Sequence, residues 1–388
     1  MMSNDILNAD KLLSAAQMET GLDDYGDTSL PERFRMAVVL LQGAVMDAAG
    51  QQKAADICHW LLTSRLQFFN DHKRFSLEQE KIERPLFVTG EPRAGTTLLH
   101  ALLSVDPHGR ALRFWEVMYP SPPTGFAKPD DPRRERANAD WREILQKLPF
   151  WLISHPYNDM LGNGLPECER TWAFDFRVMT PTAWWRAPMG MVIGGLPTDA
   201  RAQYRIHKMM LQHCQAGLPQ KYWVLKGFHS MRLKELFEAY PDARIIWTHR
   251  DPVQTIASRI VLTGELVEGL SGHVDWTAQA KLQLAASRAS FNVTMNNPMI
   301  DDPRIHHVRY PDFIADPVGV IRGFYESSGV AFKPDTEAAM RGYLQTNKGD
   351  RYGKFRYSTA IIGEDIAALH AEFEPYRKRF GLDIEQRG

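Results

Sequence analysis

Residues 85–103 read PLFVTGEPRAGTTLLHALL. A short apolar run (Leu86, Phe87, Val88) enters a turn rich in Gly and Pro, and the turn opens into an apolar helix. Gly90 and Gly95 hold the places of the two glycines of a phosphate-binding loop, Thr97 holds the Ser/Thr place, and Thr96 stands where the loop lysine would be. Such a turn gathers backbone N–H groups at the positive end of a helix, a natural seat for an anion. It lacks the cation that reaches the terminal phosphates of ATP. Arg93, inside the turn, brings a positive charge from another direction, and Thr96 and Thr97 add hydroxyl donors. The stretch reads as a phosphate cradle without ordinary ATP chemistry.

Beyond this turn the chain alternates. Apolar spacing predicts strands at 222–225, 243–248 and 305–309, separated by helices at 200–215, 231–239 and 316–328. Strands separated by helices imply an α/β fold, a mostly parallel sheet flanked by helices. Residues 1–82 read as a helical N-terminal extension, with Ser29 as cap and Pro31 in the first turn of its second helix. Residues 83–388 form the α/β domain. Within it, 111–198 is irregular and mixes prolines, glycines and Trp115, Trp141, Trp151, Trp172, Trp184 and Trp185. A long irregular stretch in a compact domain is usually functional or disordered. The aromatics favour an apolar pocket or lid; an aromatic core beneath loops is the alternative.

A second motif, THRDPVQTIAS, runs from Thr248 to Ser258. Arg250 follows a buried strand, where ligands gather in open α/β sheets. Asp251 and Pro252 predict a helix start, and Ser258 lies two turns along that helix. An Arg and a Ser so placed suit a second phosphate.

Bulk properties narrow the partners. The 388 residues carry a formal net charge of −1, with no dense basic run, so nothing points to nucleic acid. Cys58, Cys168 and Cys214 match no zinc spacing and no disulfide framework. No apolar run approaches the ~20 residues of a membrane span, and the N-terminus carries no secretory pattern. These features predict a cytoplasmic protein.

The two motifs together resemble the nucleotide site of the sulfotransferase family, whose donor is 3′-phosphoadenosine 5′-phosphosulfate. There a strand–loop–helix written PRSGTT or PRTGTT binds the 5′-phosphosulfate. An Arg after a later strand, with a Ser further along, binds the 3′-phosphate. Here the first reads PRAGTT, with Ala94 in place of a hydroxyl residue, and the second reads HRDP with Ser258 at the matching distance. WVLKGFH, VRYPDFIADP and YGKFRYS extend the likeness over roughly residues 85–380. The resemblance implies a P-loop-like sulfotransferase fold. It implies nucleotide contacts from Arg93, Ala94, Gly95, Thr96, Thr97, Arg250, Ser258 and Tyr310, and from Lys354, with Lys348 and Arg351 as competitors. The co-substrate would be 3′-phosphoadenosine 5′-phosphosulfate, leaving adenosine 3′,5′-bisphosphate as product, with no metal.

Sulfuryl transfer needs in-line positioning and charge stabilisation, for which Arg93, Thr96, Thr97 and Lys226 are candidates. An acceptor hydroxyl needs a base. Glu116 follows the Asp106–Pro107 turn, as the family's catalytic Glu follows a comparable turn, and burial beside Trp115 would strengthen it. An ion pair with Arg110 or Arg113 is its alternative role. His229 is the second candidate base: Lys226-Gly-Phe-His229 resembles the Lys-Thr-His of cytosolic sulfotransferases with one residue more. Glu167 and Glu169 would orient the acceptor or pair with Arg170. His306 and His307 point to opposite faces of a strand, and His100 either approaches the site or packs in the core. The acceptor expected is an apolar small molecule with a hydroxyl. A P-loop kinase with a degenerate loop and a catalytically inactive nucleotide-binding module are the rival readings. The sequence names neither the acceptor nor the oligomeric state.

Overall fold

The computed structural model describes residues 6–43, 48–177, 199–219 and 221–385. Among them are five strands: β1 Leu86–Gly90, β2 Gly109–Ala111, β3 Tyr222–Lys226, β4 Arg244–His249 and β5 Ile305–Arg309. They form one sheet in the order β2-β3-β1-β4-β5, and every neighbouring pair is parallel. β1 is buried along its whole length, and β4 along all but its first residue. Burial on both faces is why these strands read as continuous apolar runs rather than alternating ones. The three strands expected after the turn reappear within a residue at each end, and β1 runs two residues past Val88. β2 was unread because it is three residues long and polar at Arg110; its pairing, Gly109 with Tyr222, comes from the sheet.

The strand order places the chemistry. β1 is central, with β3 on one side and β4 on the other. The chain leaves β1 toward one edge and later returns to the other, and ligands bind beyond the strand ends at such a switch point. β1 ends at Gly90, β3 at Lys226 and β4 at His249, just before Arg250. Both motifs therefore emerge at one end of one sheet.

This sheet belongs to a unit built from residues 83–111, 148–159 and 221–388. Its helix Pro252–Ser271 starts as the sequence predicts, with Asp251 Oδ1 accepting from the Val253 N–H at 3.2 Å and Pro252 first in the helix. Val253, Ile256, Ala257 and Ile260 of that helix are buried with Leu284 and Phe291 of Trp276–Met295, and with Leu369, Phe373, Tyr376 and Leu382 near the C-terminus.

A second, helical unit comprises residues 1–82, 112–147 and 160–220. It contains Ala9–Thr20, Leu30–Gln42, Ala48–Arg74, Arg133–Lys147 and Ala200–Gln215. Asp175 gathers three arginines: Arg33 and Arg65 at 3.0 Å and Arg177 at 2.8 Å. Burial lowers the Arg65 pKa to about 10, with Asp175 opposing the fall. Ser29 stands at the cap position of Leu30–Gln42 but does not cap it. Its backbone is already helical, and its hydroxyl instead accepts from Arg33 Nη1 and donates to Asp27, both at 2.8 Å. Trp184, Trp185 and the runs TPTAWW and APMGMVIGGLP lie outside the described residues.

Candidate active site

The loop after β1 is shaped by three residues with positive φ: Gly90 (153°), Arg93 (74°) and Gly95 (87°). A Cβ on Gly90 would lie 2.6 Å from Thr248 Oγ1 and 2.7 Å from the Thr248 carbonyl, so β4 approaches too closely for any side chain there. Arg93 is not glycine, and its left-handed backbone carries strain of about 1–2 kcal/mol. Its surroundings hold it there. The Ala94 N–H donates to the Glu91 carbonyl at 3.1 Å, and Arg250 Nη1 donates to the Arg93 carbonyl at 2.9 Å. Helix Thr96–Ser104 begins directly after Gly95. A helix leaves its first N–H groups without an intrahelical acceptor, so this turn presents donors to an anion. Glu91 is buried and accepts from the Ser290 hydroxyl, and burial pushes its carboxyl pKa up.

Lys226 reaches the same turn from β3. Its Cα pairs with Val88, and its Nζ lies 3.3 Å from Thr97 Oγ1. The exit of β3 is tied down by Thr89, whose hydroxyl donates to the Gly227 carbonyl at 3.0 Å and accepts from the His229 N–H at 3.1 Å. His229 is buried with its ring edge-on to Phe87.

The second motif meets the first directly. Arg93 Nε donates to Ser258 Oγ at 3.0 Å, and Arg93 Nη1 to the Ser154 carbonyl at 3.2 Å. Arg250 lies over the Tyr310 ring at 4.3 Å, and the same ring would lie 3.0 Å from a Cβ on Gly95. Arg93, Ser258, Arg250 and Tyr310 thus form one cluster beside the turn. Burial, reinforced by Arg250, lowers the Arg93 pKa to about 10. Two neighbouring buried guanidiniums concentrate positive charge beside the turn. Arg250 also forms a bidentate ion pair with Glu385, Nε and Nη2 each 2.7 Å from a carboxylate oxygen. Burial alone would lower the Arg250 pKa; the Glu385 bonds override it and push it up.

Other candidates fall elsewhere. Lys354 and Lys348 are exposed. From the same segment it is Tyr357 that reaches Arg250 Nη2, through its hydroxyl at 3.2 Å, while Phe355 lies under the Arg93 guanidinium at 4.6 Å. Arg351 pairs with Asp159 at 2.8 Å. Glu116 belongs to the helical unit and is 3% exposed. Its Oε2 accepts from the Arg113 N–H at 2.9 Å, capping the short helix Phe114–Met118, and its Oε1 accepts from Thr124 Oγ1 at 3.1 Å. Glu167 and Glu169 flank Arg170, whose pKa burial lowers to about 9 against the pull of both acids. His306 meets Ser327 and His307 meets His249, on opposite faces of β5. His100 is buried in Thr96–Ser104.

Sequence reading missed Ser154, His155, Phe355, Tyr357 and Glu385. His155 stacks on Trp151 at 4.6 Å, and burial, with Lys226 and Arg93 nearby, holds its imidazole well below the usual histidine pKa. Tyr357 lay inside a motif already singled out; Glu385 carried no local signal. Among the described residues no group of three or more His, Cys, Asp or Glu side chains is placed to hold a metal ion. No described helix is long and apolar enough to cross a membrane.

Known proteins identify the family. The profile of the sulfotransferase family matches residues 85–334, which span both motifs and the sheet. The chain belongs to the sulfotransferase family. This sulfotransferase is similar to an omega-hydroxy-beta-dihydromenaquinone-9 sulfotransferase of Mycobacterium bovis, 27% identical over 317 residues, covering 77% of this chain and 75% of the relative. Its fold is similar to the crystal structure of a sulfotransferase from Mycobacterium avium, with 28% identity, a TM-score of 0.83 and 99% of each chain covered. A Mycobacterium tuberculosis sulfotransferase superposes with a TM-score of 0.72 at 25% identity, over 96% of this chain and 99% of that one. The expected enzyme class and α/β fold therefore hold for this sulfotransferase, and the kinase and inactive-module readings give way.

Proposed function

We propose that this sulfotransferase moves a sulfuryl group from 3′-phosphoadenosine 5′-phosphosulfate to a hydroxyl of an apolar small molecule. One observation carries the donor assignment: Arg250 Nη1 lies 2.9 Å from the carbonyl of Arg93, so the two anion-binding motifs share one site. The residues suit a bisphosphorylated nucleotide. The Gly90–Thr97 turn, with the helix N-terminus and the Thr96 and Thr97 hydroxyls, would hold the 5′-phosphosulfate. Arg250 and Ser258 would hold the 3′-phosphate, with Tyr310 seating the Arg250 guanidinium. Arg93 bridges the two through its hydrogen bond to Ser258.

The nucleotide supplies an activated sulfuryl group. The chain supplies position and charge: Lys226, fixed between β3 and Thr97, neutralises charge gathering at the leaving phosphate oxygen. Glu116 takes the acceptor proton. Its hydrogen bonds from the Arg113 N–H and Thr124 Oγ1 fix the direction of the carboxylate. His229 is the second candidate base. The Mycobacterium bovis relative named for an omega-hydroxy-menaquinone derivative supports a hydroxyl on an apolar acceptor.

Calorimetry with adenosine 3′,5′-bisphosphate, AMP and ATP tests the donor site without knowledge of the acceptor. Binding of the bisphosphate should be at least about tenfold tighter than that of AMP, and Arg250→Ala should erase the difference, since a charge-assisted contact of about 1.5–3 kcal/mol is lost. Equal binding of AMP and bisphosphate by the wild-type protein would end this reading.

A further inference from the structure

The Glu385 carboxylate holds the edge of Arg250 that a phosphate would need. An arginine offers five N–H donors. Two go to Glu385 at 2.7 Å, one to the Arg93 carbonyl and one to Tyr357, and the Tyr310 ring covers a face of the guanidinium. The Nε/Nη2 edge is the fork that binds carboxylate or phosphate in bidentate fashion, and it is engaged by a residue of the same chain.

We infer that Glu385 is a built-in competitor for the 3′-phosphate subsite, and that nucleotide binding displaces it from Arg250. This rests on the donor assignment proposed above. Three features support displacement over a fixed structural pair. First, the tail is tethered just before the contact: helix Glu374–Phe380 ends at Gly381, and Leu382 is buried in the apolar cluster with Val253 and Ile256. Among the described residues only Asp383 to Glu385 would need to move, and Ile384 between them is exposed. Second, Arg250 keeps its seat without Glu385, because Tyr310, Tyr357 and the Arg93 carbonyl hold it independently. Third, a phosphate monoester carries about −1.5 to −2 charges at neutral pH and a carboxylate one, so next to Arg93 and Arg250 together the phosphate is the stronger guest.

The attachment is specific. Besides its carboxylate, the Glu385 N–H donates to Asp251 Oδ2 at 3.0 Å, and its carbonyl accepts from Gln254 Nε2 at 3.1 Å. Asp251 caps the helix that carries Ser258, and Gln254 lies on its first turn. A protein whose binding-competent form is a minority binds its ligand more weakly by that fraction. Glu385 therefore sets the affinity for the 3′-phosphate specifically and leaves the 5′ end untouched.

The test is calorimetry on the full chain with Glu385→Gln, titrating adenosine 3′,5′-bisphosphate and AMP. The amide keeps the shape and removes the charge. Expected is bisphosphate binding about tenfold tighter with AMP unchanged, and no effect of the substitution in an Arg250→Ala background. If the wild-type protein prefers bisphosphate to AMP but Glu385→Gln binds bisphosphate no more tightly, the inference fails and the donor assignment survives. If the wild-type protein shows no such preference, both fail. Hydrogen exchange on the wild-type protein gives a readout free of folding effects. Saturating adenosine 3′,5′-bisphosphate should speed exchange at the Glu385 amide by breaking its bond to Asp251; slower or unchanged exchange would overturn the displacement.

Discussion

Single residues are where the proposed chemistry can be tested, and Glu116 joins an observed structural role to a proposed chemical one. Its carboxylate caps a helix through the Arg113 N–H and accepts from Thr124. Glutamine serves a cap at this position as well as glutamate does, so Glu116→Gln preserves the fold while removing the proposed base. With any acceptor that supports turnover, the substitution should lower kcat about 10²–10⁴-fold and leave adenosine 3′,5′-bisphosphate affinity within about twofold. An unchanged rate would move the base to His229 or elsewhere. At this scale the sequence was legible where a residue type has few uses. Gly90, Gly95 and Arg250 could be singled out because positive φ and a cation after a buried strand are narrow requirements. Lys354 and Tyr357 could not be ranked. They are three residues apart in an irregular segment, and only coordinates show that the tyrosine hydroxyl reaches Arg250.

At the scale of elements, apolar spacing located the buried strands β1, β3, β4 and β5 but passed over the helix Trp276–Met295. It could not find β2, which owes its existence to pairing with β3, nor the buried charge of the helical unit. Asp175 follows Phe174 in a run that reads as a simple aromatic patch, yet it anchors Arg33 and Arg65 from distant parts of the chain as well as the neighbouring Arg177. Removing one partner of a buried ion cluster leaves uncompensated charge. Asp175→Asn should therefore destabilise the protein by about 3–5 kcal/mol, measured by urea denaturation. A loss below about 1 kcal/mol would mean that the arginines find water or other acceptors.

For the whole molecule, buried histidines link stability to pH. Burial lowers the pKa of His207 and His213 to about 3, against about 6.5 when unfolded. Between those values the unfolded chain binds protons that the folded chain refuses. Stability is therefore full above the unfolded pKa and falls as pH drops from about 6.5 toward 3, by up to about 1.4 kcal/mol per pH unit for each histidine. Denaturation midpoints at pH 7, 6, 5 and 4 should show this slope, and His207→Gln should flatten it. A midpoint independent of pH over that range would contradict the assignment.

Sequence alone settled the class of protein and singled out the two motifs that emerge at one end of the sheet. Glycine geometry, strand burial and the spacing of Arg250 to Ser258 are local properties, written in runs of a dozen residues. Folding decided which charges meet. The 2.9 Å contact between Arg250 and the loop, and the carboxylate of Glu385 on that same arginine, join positions 157 and 135 residues apart. Such pairings arise from strand order and from where the C-terminal helices pack, and no local pattern encodes them.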